Sequence, residues 1–489
     1  MNNKLPLALV IGLTSGSALA LQSLDDAVMQ DVSGQGGLTI ESTTTDPDGY
    51  TLRTGEIRYT QKNNEGGLDA YFSIAGMTER YYTSDAAGNF IGLNKVRTVI
   101  DVDSFGNLSI KTMDVDTKDI HYGAMSFSGR QFLSGLDINV WKFKPGSYTE
   151  IEAKNDPAGA KIISRTVMKD GSGYTQKRYE NDVIVSSDTV YRPAAGQTEY
   201  VSETIITNDA GNGLKLEFGE TKGTIEINKM TIARNINGTV VGLFDDNSFG
   251  DIGYGDIKVN SGYVTMRANA DPSKNGLQGQ FASDIDVGTF FFRTDNSRIN
   301  MHNLQFKTVG PIDYNLALMN NGYATGIEAQ IHGVGSTADL RVGSITLSGA
   351  DGSGETASAG SFAITGFTLN NGTAEISNYT LPGYGTDGLR QVVNVTGKTN
   401  FNLEIYDESS AAGSPKLSAE MVLNNFTQDQ TTNYTAKGIY ILTASNSMDV
   451  NINAIRVGNG STYQGQSGRL VMNNYHVMPG SYTNIEPLR

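Results

Sequence analysis

Ile225-Glu226-Ile227-Asn228 alternates apolar and polar side chains, as do Leu108-Ser109-Ile110-Lys111, Ile257-Lys258-Val259-Asn260 and Val450-Asn451-Ile452-Asn453. A period of two sends successive side chains to opposite faces, which suits a strand with one buried and one wet side. Stretches of this kind run from residue 38 onward as short strands. Between them stand Asp48-Gly49, Asn237-Gly238, Asn275-Gly276, Asn321-Gly322 and Asn371-Gly372, pairs that tolerate the positive φ of tight hairpins. Much of the high glycine content, 57 residues, thus has a use in turns. Few alanine-leucine helical runs are present, which argues against an α/β chain. The sequence predicts an all-β protein with an elongated multi-sheet body, sandwich- or solenoid-like, preceded by one short helix.

The 489 residues include no cysteine, and the formal net charge is -15. A disulfide-stapled module would need thiols, and a nucleic-acid binder would normally carry a basic surface. No apolar stretch after the first twenty residues reaches the roughly 20 needed for a membrane-spanning helix. Nucleic-acid partners and an integral membrane segment are therefore not expected.

Residues 1–20 read as a signal peptide, with Lys4 ahead of an apolar stretch from Leu5 to Leu13 and Ala18-Leu19-Ala20 as a small-x-small cleavage site. The mature chain would begin at Leu21, exported to the periplasm and onward to the cell surface or medium. Ser23 can then cap a short helix with Asp25 and Asp26 in its first turn and Leu24, Val28 and Val32 along one face. So short a helix is marginal alone and needs a surface to pack on. Leu24, Val28 and Val32 are the expected partner-docking residues, joined to the body by the Gly34-Gln35-Gly36-Gly37 hinge.

The segment from Leu24 to Ile40, with its Leu24-Asp25-Asp26 start and its Gly34-Gln35-Gly36-Gly37-Leu38-Thr39-Ile40 end, resembles the beginning of a family of exported Gly- and Asn-rich bacterial proteins. Some of these are FilA-type pilus-system proteins. The resemblance implies a component of a surface fibre or of its assembly, with other pilus-system or surface proteins as partners. It offers no catalytic residues to carry over.

Pro145-Gly146-Ser147-Tyr148-Thr149-Glu150-Ile151-Glu152 recurs as Pro479-Gly480-Ser481-Tyr482-Thr483-Asn484-Ile485-Glu486, differing only where Glu150 becomes Asn484. Ser128-Gly129-Arg130 likewise recurs as Ser467-Gly468-Arg469. Near-identical local sequence imposes the same turn preference, so both segments should turn at Pro-Gly and enter a strand. The expected organisation is a linker region over 21–45, a first β unit over 46–155, a strand-rich connecting segment over 156–200 and a larger β unit over 201–489.

Catalytic signals are sparse. His121, His302, His332 and His476 are scattered, with no His-Glu-x-x-His pattern, and neither a Gly-x-Ser-x-Gly elbow nor a complete phosphate loop is present. Calcium, which takes clustered oxygen ligands on turns, has candidates in Asp101, Asp103 and Asn107 and in Asp114, Asp116 and Asp119. None of these follows an EF-hand spacing, and turn carboxylates in an acidic chain are ordinarily just solvated. The expected role is a non-enzymatic structural or adhesive component of a bacterial surface fibre or pilus. The alternatives are a secreted carbohydrate-active enzyme or a calcium-stabilised binding module.

Overall fold

The computed structural model describes residues 38–485 apart from 44–49, 62–69, 85–89, 93–94, 104–105, 114, 128–129, 157–158, 181–182, 210, 237–238, 243–249, 269–275, 295, 321–324, 333–335, 369–371, 381–386, 408–415, 436–437 and 458–467. The signal peptide and the helix expected at Leu24–Val32 lie outside the described residues. Within them the chain is all-β, built mainly into one large antiparallel sheet.

Two lateral runs of pairing make up that sheet. The first passes through Leu38–Thr43, Lys95–Val102, Leu108–Met113, Tyr148–Asp156, Gly159–Lys169, Glu199–Asp209 and residues 213–222. The second passes through Tyr50–Thr54, Met77–Ser84, Thr117–Tyr122, Gly135–Lys142, Ser172–Glu180, Val183–Arg192 and residues 224–234. Gly213–Ile236, Asp251–Ala268 and Gly276–Arg293 are long enough to serve both runs.

Beyond these the runs separate again. One continues through Ile312–Asn320, Thr325–His332 and Gly372–Thr380. The other continues through Arg298–Val309, the kinked strand Thr337–Val342 with Ser344–Ser348, and Ser361–Phe367. They rejoin in Asp387–Tyr406, Leu417–Thr435 and Gly438–Val457. The first run then ends on Ser481–Ile485 and the second on Gly468–Val477.

The strands differ from the short ones expected, since Gly213–Ile236 alone has 24 residues. Length is possible because bulges interrupt the pairing of these strands, at Asp256 and Asn425 where a strand passes between runs and at Lys229 and Ala454 inside the second run, and a bulge bends the strand without ending it. The bulges hold residues other than glycine at positive φ: Lys229 at 51°, Asp256 at 51°, Asn425 at 49° and Ala454 at 47°. Asp and Asn adopt that region with the least penalty. A carboxylate on the neighbouring strand holds one of these sites, Asp251 accepting from the Lys229 amide at 2.8 Å, and Asp119 likewise accepts at 2.7 Å from the amide of Val140, at φ 49° in the bulge of the shorter Gly135–Lys142.

A smaller four-stranded sheet continues the beginning of the second run around a corner. Its strands, Ile57–Gln61, Ala70–Ile74, Met125–Phe127 and Arg130–Leu133, keep the order of the larger-sheet strands they join. At the bend the Ala75 amide donates to Ala124 O at 2.9 Å and the Gly123 amide to Gly76 O at 2.8 Å. Ile74, Met77, Ile120 and Tyr122 are buried inside the corner against Ile57, Phe72, Met125, Leu136, Ile138 and Trp141. A second core gathers Met168 and Tyr200 from the first run with Tyr191 and Ile225 from the second, around Phe143. The strands of residues 159–192, expected as a connecting segment, are paired on both sides and belong to the main sheet.

Candidate functional site

The two Pro-Gly segments fold alike locally. Gly146 has φ 88° and Gly480 has φ 87°. The Ser147 amide donates to Lys144 O at 3.0 Å, as the Ser481 amide does to Met478 O at 3.1 Å. Proline second and a positive-φ glycine third make each a type II turn. Each turn carries the chain from the second run to the first, so each joins a pair of strands lying at equivalent places on the two runs.

Their surroundings differ. Ser147 is buried, and its hydroxyl accepts from the Lys169 amide at 3.0 Å and lies 3.2 Å from Ser172 Oγ. Both partners belong to the next two strands of the sheet, Gly159–Lys169 and Ser172–Glu180, which cover the outer edges of Tyr148–Asp156 and Gly135–Lys142. Tyr148 is thereby half-buried, with Lys111 Nζ 3.6 Å from its ring centroid. Among the described residues, the terminal strands Gly468–Val477 and Ser481–Ile485 pair only inward, with Gly438–Val457. Tyr482, which corresponds to Tyr148, is 65% exposed and stacks on Tyr440 at 5.1 Å.

Leu470, Val471, Met472, Tyr475 and Met478 are also exposed. Consecutive exposed apolar residues at 470–472 mean that both faces of this strand are open as well as its edge. An exposed apolar edge strand is a template for another chain unless it is blunted by charge or covered. Arg469 is the only residue of Gly468–Val477 with a fixed charge. These terminal strands form the candidate docking surface. Its signal in the sequence is the recurrence of Pro-Gly-Ser-Tyr-Thr; its exposure was not readable there.

The docking residues expected from sequence, Leu24, Val28 and Val32, lie outside the described residues. The calcium candidates are mostly used in other ways. Asp103 accepts from the Asn107 amide at 2.9 Å and from Asn107 Nδ2 at 2.8 Å, closing a hairpin turn with Asp101 exposed beside it. Asp119 Oδ1 accepts from Tyr82 OH at 3.0 Å as well as from the Val140 amide. Asp116 receives the Thr117 hydroxyl at 3.4 Å, and Asp114 lies outside the described residues. Among the described residues no group of three or more His, Cys, Asp or Glu side chains is placed to hold a metal ion.

One charged cluster that sequence reading missed sits in the core. Glu79 and Lys118 are buried on adjacent strands, with Lys118 Nζ 3.3 Å from Glu79 Oε1 and the Tyr81 hydroxyl donating to Glu79 Oε2 at 2.7 Å. Oε1 has no well-aligned hydrogen-bond donor, so its link to Lys118 is chiefly electrostatic. Burial pushes the Lys118 amine pKa down, while Glu79 acts in the opposite sense. Tyr122 is pushed up to about 12, by burial first and then by Glu79. Aromatic rings continue from this cluster between the runs, Trp141 stacking on Phe143 at 5.0 Å and Tyr191 meeting Tyr200 at 4.7 Å. The cluster joins strands and has a structural use.

His121 pairs with Asp137 at 2.5 Å and His302 with Glu355 at 2.7 Å, on different parts of the sheet; His476 is exposed on the terminal strand. No described helix is long and apolar enough to cross a membrane. A protein-family model described as a family of unknown function (DUF6160) matches residues 1–125. No curated protein and no solved structure matches the chain.

Proposed function

We propose that this chain is an exported, non-catalytic structural or adhesive component of a bacterial surface fibre or pilus system. The observation that supports it most is the antiparallel ladder ending on two exposed apolar strands that, among the described residues, pair only inward. Two runs with a shared core favour an elongated, sandwich-like body, extended by each successive strand along one direction. Such a body suits a fibre subunit, whose task is to span distance and join neighbours. The signal-peptide reading of residues 1–20 supplies the route to the surface. Leu24, Val28 and Val32 supply a second docking element toward pilus-system partners, with the Gly-rich hinge giving it reach.

Deleting the gene from the producing cell and imaging the surface by electron microscopy tests this reading. Fibres should be lost or shortened and return on complementation. Fibres that assemble normally without the protein would exclude the assignment. A variant lacking residues 24–36 should keep the strand signal in circular dichroism yet fail to restore fibres.

A further inference from the structure

We infer that copies of this chain join head to tail by sheet continuation, with Leu38–Thr43 and Tyr50–Thr54 of one copy adding to the outer edges of Ser481–Ile485 and Gly468–Val477 of the next. The inference rests on the fibre reading and names the partner of its docking surface as a second copy. Leu38–Thr43 begins the first run and Tyr50–Thr54 the second, and each has one described ladder, to Lys95–Val102 and Met77–Ser84 respectively. The opposite end has the matching arrangement, one singly paired strand for each run. Every strand pair between is antiparallel, and the described strands on each run are even in number. A translated copy therefore presents strands of the correct direction on both runs at once.

Within the chain, this continuation already exists at the sequence twin of the terminal segment. Gly159–Lys169 and Ser172–Glu180 cover the two strands joined by the Pro145-Gly146 turn, and the Lys169 amide finds the Ser147 hydroxyl. Ser481 offers the same hydroxyl at the open end, where its proton goes to Met478 O at 2.7 Å and its lone pairs face no described donor. The chain's own leading segment is a poor candidate for that place. With cleavage after Ala20, residues 21–37 reach at most about 60 Å fully extended. The two ends of a run are about 70 Å apart along the ladder at the usual strand spacing. Neither terminal strand carries a carboxylate within its described span, so docking there avoids the repulsion expected between copies of a chain with net charge -15. Strand addition would satisfy the edge amides and carbonyls while covering Leu470, Val471 and Tyr482.

The absence of native cysteine makes the test direct. Thr39 and Thr483 are exposed on the two opposite edges. The mature chain carrying both Thr39→Cys and Thr483→Cys, treated with a short thiol cross-linker, should give a series of covalent oligomers beyond the dimer. Either single variant should give no such series. Adding Val471→Lys and Tyr482→Lys should reduce the oligomer yield at least ten-fold, with circular dichroism unchanged. Monomers only from the double variant, or dimers as abundant from Thr483→Cys alone, would overturn head-to-tail joining. If deleting the gene removes surface fibres but the double variant stays monomeric, the fibre reading stands and this mode of assembly falls. If the double variant gives a covalent series while gene deletion leaves fibres intact, the mode of assembly stands and the fibre reading falls.

Discussion

Asp119 shows how a single carboxylate can be read two ways. Its sequence neighbours suggest a metal turn; in the structure it holds the Val140 bulge and the Tyr82 hydroxyl. Asp119→Asn should therefore cost about 1 kcal/mol in urea unfolding, from impaired hydrogen bonding at a partly buried site, and the loss should be the same with calcium or chelator. Glu79 and Lys118 make a stricter case. Removing one partner of a buried ion pair leaves an uncompensated charge, so Glu79→Ala should cost about 3–5 kcal/mol, whereas Glu79→Leu with Lys118→Met should cost less, about 1–3 kcal/mol, because the Tyr81 hydroxyl loses its Glu79 acceptor. Tyrosines set the alkaline limit. Burial raises Tyr122 and Tyr314 to about 12, so the unfolded chain ionises near pH 10 while the native one resists. Their contribution is intact below pH 10 and is lost as pH rises toward 12. Thermal melting should fall across that window together with growth of tyrosinate absorbance.

At the scale of elements, the alternation in Leu108-Ser109-Ile110-Lys111 and Ile225-Glu226-Ile227-Asn228 was legible, and both stretches lie in strands. Pairing of Asn320 with Thr325 and of Ile236 with Thr239 flanks two of the expected Asn-Gly turns, whose own residues lie outside those described. Strand length was not legible, because a bulge such as that at Lys229 or Ala454 leaves no local mark where the residue is neither Gly nor Asn. Buried charge was equally hidden, since alternation marks polar residues as outward and Glu79 and Lys118 face in. The Pro-Gly turns were legible in full. Gly146→Ala would force a Cβ into the left-handed region and within 3.0 Å of the Lys169 side chain, which should cost about 1–2 kcal/mol in denaturant unfolding. An undiminished midpoint would show that the turn relaxes.

For the whole molecule, sequence conveyed that the chain is all-β and that one Pro-Gly turn occurs twice; it did not convey that two runs of pairing share their long strands. That sharing depends on contacts between residues far apart in the chain, such as Met168 and Tyr200 meeting Tyr191 and Ile225. On the fibre reading proposed above, the strand ladder would be the direction of growth. Detached surface fibres imaged by cryo-electron microscopy test this most directly. Strands crossing the fibre should give a layer spacing near 4.8 Å along its axis, and one copy should repeat at about 75 Å, less if the sheet coils. Fibres that lack the strand spacing along their axis, or that contain no copy of this chain, would contradict the account.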